Sequence, residues 1–338
     1  MRLSLVRRIL TVVFFLTGFL RTGAASAQDR GEVVKVNGFE RSMVVHLPRS
    51  YDKTKRYPVV LVLHEVGGNA ATIAQITRFD AAADQNSFIA VYPNAKDGHW
   101  TESEIQDVRQ VGGFGRRRGG FPDAAPAQDM VVGGRPVGDI FFFNTLLDQL
   151  ESEYSVDPNG IYATGLSEGG SMDFKLGCEL AGRIAAIAPV AATFPTEMSE
   201  SCKDWAFRAV PVLMIDGTED PFVAYNGRLS YGRGYFLLSA KDSAKAWAKI
   251  DGCGQKPQLT RVAPQSAGGL ETRVETYSDC NESSEVVLYS TVKGGHTWPG
   301  GTQYMPERVI GKTDADLDAT SVIWKFFSEH PMPPQKRN

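Results

Sequence analysis

Four cysteines, five histidines and no surplus of positive charge are what this 338-residue chain has little of: 36 lysines and arginines stand against 39 acids, for a formal net charge of −3. Each shortage excludes something. A face that binds nucleic acid through a basic patch is not expected. None of the cysteines forms a CxxC pair, so the spacing of a structural zinc site is missing. The apolar run from Ile9 to Leu20, 12 residues long, falls short of the roughly 20 needed to cross a bilayer. What the chain does have is 42% hydrophobic and 22% charged residues, a composition able to bury a large core.

Arg2, Arg7 and Arg8 precede that apolar run, and Ala24-Ala25-Ser26-Ala27 follows it. This order predicts a secretory signal peptide, cleaved after Ala27. Residues 28–338 are then read as a single catalytic domain, secreted or periplasmic. With four arginines removed, the mature chain carries −7. No cysteine near the run can take a lipid, so no stable membrane anchor is expected. Export also favours disulfides over free thiols for Cys178, Cys202, Cys253 and Cys280. Three pairings are possible, and chain spacing favours Cys178 with Cys202 and Cys253 with Cys280.

Patterning indicates an α/β fold. Val33–Val36 and Ser42–Leu47 alternate as a strand pair. Near-continuous apolar runs follow at Tyr57–His64, Phe88–Tyr92, Gly160–Thr164, Ile184–Val190, Val210–Ile215 and Val286–Tyr289, as strands covered on both faces require. Asp139–Leu150 and the stretch from Ala319 to Phe327 repeat at helical spacing. Strands alternating with helices predict a mainly parallel central sheet with helices on both faces. From Thr101 to Gly138 the chain is rich in glycine and arginine without periodicity. That reads as a surface loop, either a solvated excursion or a lid.

The sharpest local signal is Gly165-Leu166-Ser167-Glu168-Gly169-Gly170, set between an apolar strand and the helix-like stretch Ser171–Leu180. Strand, tight turn and helix are the context of a GxSxG nucleophile elbow. A serine hydroxyl attacks well only when a base takes its proton, so a histidine oriented by a carboxylate must follow. His296, in a glycine-flanked loop after Val286–Tyr289, suits the base. Asp220 is the preferred acid in Asp216-Gly217-Thr218-Glu219-Asp220, with Asp216 and Glu219 as alternatives. Backbone N–H groups of Glu168 and of Glu65 or Val66 would bind a tetrahedral oxyanion. His64 is a candidate substrate contact, and Trp298 is either a wall for an aromatic or sugar-bearing substrate or a packed loop residue that holds His296 in place. This chemistry needs no cofactor and no metal; His64-Glu65 does not open an HExxH motif, because position 68 is glycine.

Leu63-His64 before a glycine-rich turn, Val91-Tyr92-Pro93, Gly165-Leu166-Ser167, Gly217-Thr218-Glu219-Asp220-Pro221, Trp247-Ala248 before Gly252-Cys253, and Gly295-His296-Thr297-Trp298-Pro299-Gly300 together resemble the secreted esterase family of polyhydroxybutyrate depolymerases, feruloyl esterases and acetylxylan esterases. The resemblance runs from about Arg41 to Phe327. It implies an α/β-hydrolase fold, hydrolysis of small or oligomeric carboxylic esters, and Ser167, Asp220 and His296 as triad. Three positions depart from the family pattern. Glu65 stands where glycine is usual, Glu168 where a small residue or asparagine is usual, and Asp216 where histidine is common. Alternative readings are a serine peptidase or acyltransferase on the same fold, or a hydrolase-like binding protein. The sequence leaves oligomeric state open.

Overall fold

The computed structural model describes residues 28–36, 38–100, 138–229 and 236–333. The segment read as a signal peptide and nearly all of the predicted loop at 101–138 lie outside these residues. The chain begins with an antiparallel pair, β1 (Asp29–Val36) and β2 (Phe39–His46), which starts a few residues earlier than the alternation suggested. It continues through β3 (Tyr57–Leu63), two eight-residue helices α1 (Ala70–Thr77) and α2 (Phe79–Asn86), and β4 (Ile89–Pro93). Next come α3 (Asp139–Glu153), β5 (Val156–Leu166), α4 (Glu168–Glu179), β6 (Ala186–Val190), α5 (Thr196–Trp205) and β7 (Val212–Gly217). A small ribbon, β8 (Arg228–Leu229) with β9 (Phe236–Leu237), precedes α6 (Ala240–Ile250). The chain then passes through β10 (Gln258–Val262), β11 (Thr272–Tyr277), β12 (Val286–Thr291), α7 (Glu307–Ile310) and α8 (Ala319–Glu329).

Ten strands form one sheet in the order β1-β2-β4-β3-β5-β6-β7-β12-β11-β10. The six central strands, β4 to β12 in that order, run parallel; the outer two on each side are antiparallel. The expected mainly parallel sheet is therefore its centre, bordered by hairpins. In β3 the strand period of two divides the side chains between two cores. Val59, Leu61 and Leu63 join α3, α4, α5 and α6 on one face, while Val60 and Val62 join α1, α2 and α8 on the other. A strand roofed on both sides has no solvent face to mark with polar residues, which is why these runs are apolar throughout.

Two disulfides pair Cys178 with Cys202 and Cys253 with Cys280. The first ties α4 to α5; the second ties the segment after α6 to the turn beyond β11. Loops of 24 and 27 residues are closed, each stabilising by roughly 3 kcal/mol on the chain-entropy model.

Candidate active site

β5, β7 and β12 are parallel, and β6 lies between β5 and β7. Their carboxyl ends therefore fall along one edge of the sheet. Ser167 follows β5 directly, Asp220 lies three residues beyond β7, and His296 lies five beyond β12. The topology thus brings three chain-distant residues to the region where open α/β sheets place their ligands.

Ser167 sits at φ 59° and ψ −116°, outside the allowed regions for a residue with a side chain. Its N–H donates to the Val190 carbonyl at 2.9 Å, and its carbonyl accepts from Ser171 at 2.9 Å as α4 begins. The turn is this tight because α4 packs its first residues on the strand ends. A Cβ on Gly165 would lie 2.6 Å from the Gly169 carbonyl carbon, and one on Gly169 would collide with the Leu63 carbonyl oxygen. Glycine at both positions lets the elbow close against the end of β3. The Glu168 N–H is the first of α4, at a helix start where the dipole favours negative charge.

His296 Nδ1 lies 2.7 Å from Asp220 Oδ2, and both side chains are buried. The other Asp220 oxygen accepts N–H bonds from Phe222 at 2.7 Å and Val223 at 2.8 Å. With acceptors only on its carboxylate, the contact assigns the imidazole proton to Nδ1 and leaves Nε2 basic. The loop is held from several sides. The His296 N–H donates to Ile310, Tyr304 donates its hydroxyl to the His296 carbonyl at 3.0 Å, and the Phe222 ring stands edge-on 5.3 Å away. Of the three acids weighed from sequence, Asp220 alone reaches the histidine. Asp216 accepts instead from the Ala192 N–H at 3.1 Å, burial and the nearby Asp220 push its pKa up, and Glu219 is exposed.

Glu65 and Val66 follow β3 beside the elbow. Val66 is exposed, whereas Glu65 is half-buried and burial raises its pKa, with the charge of His296 pulling the other way. Glu168 is buried beneath the site. Its carboxyl accepts the Trp100 N–H at 3.3 Å and lies 3.6 Å from His99 Nδ1. Burial first, and the charge of Asp139 last, push its pKa up to about 8. Asp139 itself is paired with Arg41, whose guanidinium stacks 3.6 Å over the Phe142 ring. This network, with Phe222 and Tyr304, was not legible from spacing, since its members come from β2, α3, the segment after β4 and two late loops.

Two expected substrate contacts are corrected. Trp298 is fully buried, donates its indole N–H to Thr320 Oγ1 at 3.0 Å and packs edge-on against Phe79. It braces the histidine loop against α8 and α2 and lines no open wall. His64 is also fully buried, with Nδ1 2.7 Å from the Glu65 carbonyl and Nε2 accepting from the Ala95 N–H at 3.0 Å. Both ring nitrogens are used in holding the turn, so neither remains for a ligand. Burial accordingly lowers its pKa.

No protein-family model matches the chain. Among curated proteins it is 29% identical over 259 residues to feruloyl esterase B of Piromyces equi, covering 76% of this chain and 42% of that longer protein. It is 25% identical over 335 residues to feruloyl esterase D of Neurospora crassa, covering 95% of this chain and 97% of the relative. Among solved structures, an acetyl xylan esterase from Aspergillus awamori superposes with a TM-score of 0.52 at 15% identity, over 79% of this chain and 94% of its own. In sequence the chain is a relative of esterases, and in fold it is an α/β-hydrolase.

Proposed function

We propose that this chain is a secreted carboxylic ester hydrolase that works through a Ser167–His296–Asp220 triad and an acyl-enzyme. The observation that carries the reading is the buried 2.7 Å contact of His296 with Asp220 on the sheet edge that also bears the strained Ser167. His296 Nε2 takes the Ser167 proton as Oγ attacks the ester carbonyl, and returns it to the departing alcohol. Water then repeats the sequence on the acyl-enzyme, releasing the acid. Asp220 holds the imidazole in its productive tautomer and stabilises the imidazolium. The Glu168 N–H, with one from Glu65 or Val66, receives the oxyanion; main-chain donors do not depend on the unusual side chains above them.

The named activity of the relatives supports feruloyl or related small esters as substrates, and the family resemblance adds short hydroxyacyl oligomers of the polyhydroxybutyrate kind. The test is turnover of p-nitrophenyl acetate, p-nitrophenyl butyrate and methyl ferulate by the mature protein and by Ser167→Ala. The expected loss in the variant is about 10⁴-fold or more in kcat. Equal, negligible rates for both proteins on these esters would support the binding-protein alternative. Serine-dependent cleavage of peptides without ester turnover would support a peptidase.

A further inference from the structure

His46 ends β2 and pairs in register with Ala90, near the start of β4. It therefore lies at the amino end of the parallel strands, opposite the serine edge. Its ring is 5% exposed and is surrounded by carboxylates. Nδ1 is 2.6 Å from Asp29 Oδ1 of β1 and 3.7 Å from Asp80 Oδ1 of α2. On the other side, Nε2 lies 3.5 Å from Asp84 Oδ1, is shut off from solvent and makes no hydrogen bond. Asp80 and Asp84, four apart, project from one side of α2. The Tyr92 hydroxyl donates to Asp80 at 2.6 Å, and the Arg49 N–H and guanidinium hold Asp84 at 2.9 and 2.8 Å.

A neutral imidazole has one N–H. The 2.6 Å contact claims it for Nδ1, which leaves the Nε2 lone pair buried against a carboxylate. An unsatisfied buried group of this kind is costly. Three carboxylates also gather there, and among the described residues Arg49 is the cation paired with them, through Asp84.

We propose that Asp29, His46 and Asp80 form a structural site for a divalent transition-metal cation of the Zn²⁺ class. His46 Nδ1 and one oxygen from each aspartate are the ligands, with water filling the remaining positions. The three ligand atoms lie within 4.8 Å of one another. Tetrahedral bonds of about 2.0–2.1 Å would place ligand atoms about 3.3 Å apart, and the two nitrogen–oxygen separations, 2.6 and 3.7 Å, fall on either side of that value. With the metal on Nδ1 the proton moves to Nε2 and points at Asp84, so the orphaned nitrogen gains its partner. Asp84 then orients the imidazole and Tyr92 orients Asp80, the outer arrangement that metal-bound histidines commonly have. An imidazole ligand favours zinc-like ions over calcium or magnesium. Asp29 is largely exposed, which leaves a path for entry. The ion would fasten β1, β2 and α2 together, far from the ester chemistry and independent of it.

The test uses the mature chain freed of metal with a chelator and titrated with Zn²⁺ by calorimetry, with thermal melting in parallel. One equivalent bound and a rise in Tm are expected for the wild type. Asp29→Asn, Asp80→Asn and His46→Gln should each lose that equivalent and the rise. Because His46 is buried, its variant can misfold; Asp29→Asn, at an exposed strand start, keeps the comparison valid. Zn²⁺ binding and melting that are the same in wild type and Asp29→Asn would overturn the site, and so would no saturable binding by the wild type.

Discussion

Individual side chains decide the chemistry at the serine edge, and two of them separate by substitution. Asp220→Asn preserves shape but offers an amide to His296 Nδ1, turning the imidazole toward the wrong tautomer. A fall of about 10⁴-fold in kcat is expected with little change in Tm, whereas Asp216→Asn, which does not touch the histidine, should keep most activity. Glu168 makes a prediction about stability. Burial raises its folded pKa from 4.5 to about 8, so between these values the folded state holds a proton that the unfolded state releases. Its contribution is fully present below about pH 4.5, declines as pH rises and is gone above about pH 8. Glu168→Gln should therefore flatten the decline of Tm across that window; an unchanged profile would show that other groups cause it. The residues of the proposed triad were legible because the elbow and the glycine-flanked histidine are short motifs with a physical purpose. The two substrate-contact readings failed for one reason. His64 and Trp298 neighbour the site in sequence, but polar atoms on aromatic rings serve equally well to brace a loop, and only partners in space separate the two uses.

Elements bring the acid and the base together through one close approach. β7 ends at Gly217, and β12 leads into the Gly294-Gly295 turn that carries His296. A Cβ on Gly217 would strike the carbonyl oxygens of both glycines. The Thr218 and Glu219 N–H groups bond across the same junction, to Thr291 and Gly294. Gly217→Ala should push the histidine loop away from Asp220, costing about 1–3 kcal/mol of stability and more activity than that loss explains. Chemical denaturation beside ester turnover would read both. At this scale the sequence was informative about strands and less so about helices. The central strands are covered on both faces and so announce themselves as apolar runs. α1 and α2 are only eight residues each, too short to display a periodicity, and the antiparallel β10 is exposed along its whole length, with no buried face to impose alternation.

Across the whole molecule, topology does what no local pattern states. Six parallel strands align the ends of β5, β7 and β12, and that alignment lets Asp220 and His296, 76 positions apart, meet on the edge that carries Ser167. The fold class followed from the alternation of runs, and the β1–β2 border from its own alternation; the β11–β10 border did not, because a hairpin strand and a parallel strand can have similar composition. The same global view governs the disulfides. Replacing Cys178 and Cys202 together by serine should lower stability by about 2–5 kcal/mol and lower the denaturation midpoint accordingly, while Ser167 chemistry survives at temperatures where the chain remains folded. Both bridges border the core formed with α3 to α6; Cys178 and Cys202 lie within it and Cys253 packs against it. The opposite layer, built on α1, α2 and α8, has apolar packing and no sulfur stitch among the described residues. Warming should therefore loosen the molecule lopsidedly, its unstitched side exchanging amide hydrogens first, while the stitched side keeps the serine elbow in shape longest.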